Sequence, residues 1–276
     1  MKRQLPPELP IRSRVQIAVT AFNEGRHDEA RKLCEQGLRH HPREPSLNHL
    51  LAAILFASGD VGTARLYVEA SIAERANSAP AQLLAGRIAR VAGDLEAALA
   101  HLDRALALAR TGEALLERAR TLEAAGRREA ARNAWQALLR FNPRSFEAAA
   151  RIGRLSWEDG RHSEALAMLE RAVTGENAPA SAWFDLAMVR QDLHDLAGAA
   201  TAYRKALELR SDFHEAALNL GVVLQDAGDL DAAIEAYRTA YRLHPSTFGV
   251  IATALTSAPS GRLWIDRDVL RMLLAG

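Results

Sequence analysis

The sequence holds a single cysteine, Cys34, among its 276 residues. No intrachain disulfide or cysteine-based metal cluster can form within it, and a reducing compartment suits the chain. Aromatic residues make up only 5%, which excludes a core built mainly on large rings and points to close packing of small side chains. Charge of one sign is also lacking. The 35 basic and 34 acidic residues nearly cancel, which argues against a surface built as a whole to hold nucleic acid. No apolar run approaches the roughly 18 residues of a membrane span, and the opening MKRQLPPELPIRSRV lacks the apolar stretch of a secretory signal. The expectation is a cytoplasmic protein with no membrane span and no nucleic-acid partner.

What is abundant is small: 55 alanines and 17 glycines. Arginine outnumbers lysine 32 to 3, a usage expected of a GC-rich bacterial genome and, where arginines cluster, suited to bidentate contacts. Charge is unevenly spread. Residues 1–145 carry 22 basic and 16 acidic groups, a net +6, and residues 146–276 carry 13 and 18, a net −5.

Gly25, Gly59, Gly93, Gly126, Gly160 and Gly228 succeed one another at steps of 34, 34, 33, 34 and 68. The skipped turn falls at His194, in DLHDLAGA. A period of this length denotes stacked helical repeats, with boundaries at 11–44, 45–78, 79–111, 112–145, 146–179, 180–213 and 214–247. Within each, apolar residues recur at three- and four-residue spacing, so each reads as two helices of about twelve residues around a short turn. The glycine suits a left-handed turn position, and His194 should be strained there.

Counting slots from the first residue of each repeat, slot eight holds Ala18, Ala52, Gly86, Ala119, Gly153, Ala187 and Gly221. Slot twenty holds Ala30, Ala64, Ala98, Ala131, Ala165, Ala199 and Ala233. All fourteen are Ala or Gly, as two helices in close contact require. These residues, the aromatics Trp135, Tyr203 and Tyr237, the alanines Ala105, Ala172, Ala206 and Ala240, and the terminal prolines Pro42, Pro143 and Pro245 resemble the tetratricopeptide repeat family over residues 11–247. Cys34 and Val68 depart from it at the aromatic position, Arg110 and Asn177 at the proline, and Arg118 at an expected leucine. The expected fold is all-α: a right-handed α-solenoid of about seven helix-turn-helix repeats, an extended arm over 1–10, and capping helices over 248–276. In the cap, FGVIATALTS reads as one more first helix. DRDVLRMLLAG reads as a final helix with Asp266 near its N-cap, and Leu263 and Trp264 are an alternative docking point.

Chemistry is sparse. The segments outside the repeats are too short for a catalytic domain. Asp266 and Asp268 fit the start of a helix, where acids satisfy backbone N–H groups. His40 and His41 sit at a helix end, and no histidine pair has metal-ligand spacing. No phosphate-binding glycine loop or nucleophile motif is present. Neither an enzyme nor a cofactor or metal site is expected, and Cys34 reads as a small buried hydrophobe.

The resemblance implies a concave surface lined by the first helices that holds a partner's peptide or helix. Slot nine places Arg87, Arg120 and Arg154 in three consecutive repeats, with Arg90 and Arg151 one turn away, a set suited to carboxylates. Arginine is common in this chain, so a solvated face neutralised by Glu113, Glu117, Glu123 and Glu147 is the alternative. Slot twelve offers Phe22, Phe56 and Trp157 as anchors, or as packing residues. Asn219 matches a position from which some members of the family hold a guest's backbone. The reading is a scaffold or adaptor for another protein, with an acidic or C-terminal segment as guest. Self-assembly into a homo-oligomer is the alternative.

Overall fold

The computed structural model describes residues 10–257 and 267–275. The arm expected over residues 1–9, and Leu263, Trp264 and Asp266, lie outside the described residues. The chain forms two compact units, Met1–Phe141 and Asn142–Gly276. The first holds four helical hairpins: α1 (Ile11–Asn23) with α2 (His27–His40), α3 (Pro45–Ala57) with α4 (Val61–Glu74), α5 (Ala79–Val91) with α6 (Leu95–Leu108), and α7 (Gly112–Ala124) with α8 (Arg128–Phe141). The second holds three more: α9 (Phe146–Glu158) with α10 (His162–Val173), α11 (Ala180–Asp192) with α12 (Leu196–Leu209), and α13 (His214–Asp226) with α14 (Leu230–Leu243). A 3-10 turn (Pro245–Thr247), α15 (Phe248–Ser257) and α16 (Arg267–Ala275) follow. Each unit is a stack of α-hairpins, and no strand occurs among the described residues.

The hairpin turns share one backbone device. Gly25, Gly59, Gly93, Gly126, Gly160 and Gly228 adopt φ between 67° and 86°, and His194 takes the same role at φ 60°. The next residue then donates its N–H back to a carbonyl five residues earlier, as in Asp60 to Leu55 and Asp195 to Arg190 at 2.9 and 2.8 Å. This closes the first helix with its last carbonyls satisfied. Asp60, Asp94, Asp195 and Asp229 also cap the second helix, each accepting from the N–H three residues on at 3.0–3.1 Å.

Within a hairpin the helices meet at slots eight and twenty, where every alanine is at most 1% exposed. In three repeats slot eight is a glycine lying directly against the side chain of slot twenty-four. Gly86 lies where a Cβ would stand 2.6 Å from Leu102 Cγ, Gly153 repeats this against Leu169, and Gly221 lies against the Tyr237 ring. Slot twenty-four is the deepest position of the core, with Cys34, Val68, Leu102, Trp135, Leu169, Tyr203 and Tyr237 at most 1% exposed. Burying each larger side chain contributes about 1.5–3 kcal/mol.

A buried ring with a donor needs an acceptor. Slot twelve of the same hairpin supplies it: Trp135 Nε1 donates to Glu123 at 3.0 Å, and the Tyr203 and Tyr237 hydroxyls donate to Gln191 and Gln225 at 2.9 Å. Where slot twenty-four is Cys34, Val68 or Leu169, without a strong donor, slot twelve is Phe22, Phe56 or Trp157. Buried amides tie one hairpin to the next. Asn48 donates to the carbonyls of Pro42 and Glu44 at 3.0 and 3.1 Å, and Gln82 donates to Ala76 at 3.2 Å. At the C-terminal end, Arg238 Nε donates to Leu273 O at 2.7 Å, and Leu270 and Leu274 of α16 are buried in the core.

Cys34 is fully buried, and burial pushes its thiol up to about 12. It should react with a thiol reagent only at the rate of unfolding, which a stopped-flow labelling series checks. Replacing His194 by Gly removes the left-handed strain of a residue with a Cβ and should stabilise the fold by about 0.5–1 kcal/mol in urea unfolding. Gly221→Ala drives a methyl into Tyr237 and should cost about 1–3 kcal/mol.

Candidate functional site

The first helices carry the sequence candidates, and each compact unit arranges its own set. In Met1–Phe141, three arginines converge on one acid. Glu117, with its side chain 6% exposed, lies 3.0 Å from Arg90 Nη2, 3.4 Å from Arg120 Nη1 and 3.9 Å from Arg87 Nε. Arg87 also reaches Glu113 at 3.2 Å and holds its Cζ 5.5 Å from the Phe56 ring centroid. Burial of the carboxylate among guanidinium groups makes this a fixed cluster of charge rather than a row of separate solvated cations. Phe22, half-buried, packs edge-on to His27 at 5.1 Å. Both Phe22 and Phe56 lean on the core of the first three hairpins.

In Asn142–Gly276, Arg154 bridges two acids, with Nη1 2.7 Å from Asp185 and Nε 3.1 Å from Glu158. Asp185 stands on the next first helix, and its side chain is only 8% exposed. Burial pushes its carboxyl up to about 6, against the opposing pull of Arg154. Partial burial works against the Arg154 charge, but Asp185 and Glu158 outweigh it and the guanidinium pKa ends raised. Trp157 donates its Nε1 to Asp192 at 2.6 Å. Asn219 donates to Met188 Sδ at 3.2 Å, and the Tyr203 hydroxyl oxygen stands 2.9 Å from the same sulfur. Asn219 therefore stands against Met188 rather than beside Arg151 and Arg154.

A hollow of about 950 Å³ opens between α9, α11 and the loop from α10. It arises because α10 stops at Val173, so six residues, Thr174–Pro179, replace the four that join α2 to α3, α4 to α5, α8 to α9 and α12 to α13. Its floor is Ala150, Ala172 and Ala182, its wall is Phe146 and Pro179, and Arg144, Glu147, Arg151, Arg154 and Asp185 carry its charge. Of the sequence candidates, Arg151 and Arg154 lie in it.

Sequence reasoning missed Asp185, and it assigned Glu117 to pairing along its own helix. Glu117 does meet Arg120 three residues on, but its other two pairs, and that of Arg154 with Asp185, cross from one first helix to the next over 27 to 31 residues. Glu123 pairs with Trp135. Slot six was the available signal, with Glu117 in repeat four and Asp185 in repeat six. Among the described residues, no group of three His, Cys, Asp or Glu side chains could hold a metal ion, and no helix is long and apolar enough to cross a membrane.

A tetratricopeptide repeat family model matches residues 116–182 and 184–246, and a second tetratricopeptide repeat model matches residues 21–88. No curated protein sequence matches the chain. Among solved structures, the chain is similar to PilF of Pseudomonas aeruginosa at 15% identity, covering 73% of this chain and 92% of that one with a TM-score of 0.66. It is similar to MamA of Desulfovibrio magneticus RS-1 at 22% identity, covering 61% and 96% with a TM-score of 0.55. YrrB, a TPR protein with an unusual peptide-binding site, is similar at 16% identity, covering 66% and 95% with a TM-score of 0.56. At such identities the likeness is one of fold.

Asp185 fixes the sign of a pH effect. A carboxyl raised from its ordinary range to about 6 binds more protons in the folded chain, so its contribution to stability is complete below about pH 4 and is lost as pH rises through about 6. Thermal unfolding of Asp185→Asn should lack that step, and a wild-type profile equal to the variant's between pH 4 and 7 would contradict the assignment.

Proposed function

Because this chain belongs to the tetratricopeptide repeat family, we propose that it is a scaffold that holds a segment of a partner protein against its first helices. The observation that carries this reading is the hollow of about 950 Å³ lined by Arg151 and Arg154, a size at the upper end of the about 300–1,000 Å³ that ligand pockets span. The peptide-binding site of YrrB, a protein of similar fold, supports it.

The guest's charge follows from how the arginines are engaged. Arg87, Arg90, Arg120 and Arg154 already face Glu113, Glu117, Asp185 or Glu158. A carboxylate of an acidic or C-terminal guest therefore exchanges with an internal partner, and binding through these groups is selective and salt-sensitive rather than tight from charge alone. Phe22 and Phe56 on α1 and α3 offer apolar contact within the first unit, and within the second Trp157 does so on α9 and Asn219 offers a polar contact on α13.

Self-association is the second reading, favoured by apolar side chains at the C-terminal end: Val250 is 55%, Val269 44% and Met272 68% exposed. Light scattering over a concentration and salt series separates the two, and a strict monomer throughout removes self-assembly.

The scaffold reading is tested by selecting binders from a random peptide library and measuring them against Arg120→Glu and Arg154→Glu. Charge reversal at Arg154 should weaken selected peptides by about tenfold or more, with affinity falling as salt rises. Equal affinity for both variants and wild type would place the guest away from the arginines.

A further inference from the structure

Repeat five departs from the other repeats at two positions that both line the hollow. Slot five holds Val15, His49, Leu83, Leu116, Phe184 and Leu218 elsewhere, but Ala150 here. Slot thirty holds His40, Glu74, Leu108, Phe141, Leu209 and Leu243 elsewhere, but Gly175 here. The second loss is answered from within. Phe146 lies over Gly175, with its Cδ2 2.7 Å from where a Cβ would stand. Repeat four shows the reverse arrangement, where the Phe141 ring lies against Gly112. The loss at Ala150 has no such answer, because the hollow remains.

Repeat six shows what the corresponding space contains when it is filled. Phe184, at the slot of Ala150, packs against Phe213 with ring centroids 4.8 Å apart, and Arg210 Cζ lies 3.3 Å from the Phe213 ring centroid. Their counterparts in repeat five are Ala150, Pro179 and Glu176, all of which line the hollow. The rings are missing while the surroundings that suit a ring are kept. Ala172 and Ala182 offer flat apolar contact, Phe146 offers a face or an edge, and Arg154, fixed by Asp185 at 2.7 Å, holds a guanidinium at the hollow's side.

We infer that the hollow takes an aromatic side chain from the partner's segment, standing where repeat five lacks the phenylalanine of repeat six. This rests on the scaffold reading above and names its anchor. An aromatic ring is favoured over an aliphatic chain because both Phe146 and a fixed guanidinium reward a π surface, whereas an aliphatic group gains only apolar contact. Desolvated in a pocket of small side chains, such a ring is the kind of residue that carries most of an interface's affinity. Charged groups at the rim then select what flanks it.

The test is an amide NMR titration of the whole chain with N-acetyl-phenylalanine amide, N-acetyl-leucine amide and N-acetyl-aspartate amide. Saturable shifts at Ala150, Gly175 and Ala182 are expected with the phenylalanine probe, with affinity about tenfold or more above that of the aspartate probe and also above that of leucine. Ala150→Phe should abolish them by supplying the ring internally. Ala150→Leu, carrying the residue that three other repeats hold at this slot, is the second variant and should weaken them. Absent shifts, equal response to the three probes, or shifts that persist in both variants overturn the inference. The same variants against library-selected peptides keep the two readings distinct. Peptides that bind both variants as they bind wild type leave the scaffold and overturn the aromatic anchor. A phenylalanine response with no peptide selected keeps the anchor site and overturns the scaffold.

Discussion

The closest approach of the two helices in each hairpin is the constraint on which the rest of the structure depends. It requires Ala or Gly at slots eight and twenty, and in three repeats the side chain facing that gap from the second helix comes so close that slot eight is Gly. Leu102 and Leu169, branched at Cγ, stand opposite Gly86 and Gly153. The Tyr237 ring stands opposite Gly221, whereas Trp135 and Tyr203 occupy the same slot in repeats that hold Ala119 and Ala187, so residue type at slot twenty-four does not by itself set slot eight. Once the gap is set, the ring at slot twenty-four is fully buried and its donor must be met from slot twelve. The acceptors Glu123, Gln191 and Gln225 at slot twelve thus follow from core packing, whereas the repeats without a donor at slot twenty-four carry Phe22, Phe56 and Trp157 and, opposite Leu102, Arg90.

Most of the fold was legible in the sequence because its determinants are local and periodic. Glycines at a regular step mark turns that need positive φ, and the His194 turn was found from what surrounds it; the backbone bears this out at φ 60°. The links between hairpins were not legible. Asn48 and Gln82 reach loop carbonyls six residues away, each at the end of the preceding repeat. Both amides stand at slot four of consecutive repeats, but the loop carbonyls they meet have no signature of their own in the sequence.

The candidate site was legible in its residues and not in its pairings. Arg87, Arg120 and Arg154 share a slot, which suggests a row of equivalent cations. The structure instead gives them different partners, because slot six carries Glu117 in one repeat, Asp185 in another and Arg151 in the repeat between. Electrostatic partners across adjacent helices are invisible to spacing along one helix. The hollow was harder still to see. Its cause is an absence, Ala150 where neighbours have bulk together with an α10 that ends early, and a search for charged or aromatic residues passes over a missing side chain.

The underfilled space in repeat five stands beside core positions that are fully buried, and in the reading proposed above it is where a partner's side chain seats. Hydrogen exchange of the protein with and without a library-selected peptide measures this most directly. Slowed exchange is predicted in Phe146–Glu158, in residues 174–179 and in Ala180–Asp192, with exchange elsewhere unchanged. Slowed exchange confined to other hairpins, with these three segments unaffected, would contradict it.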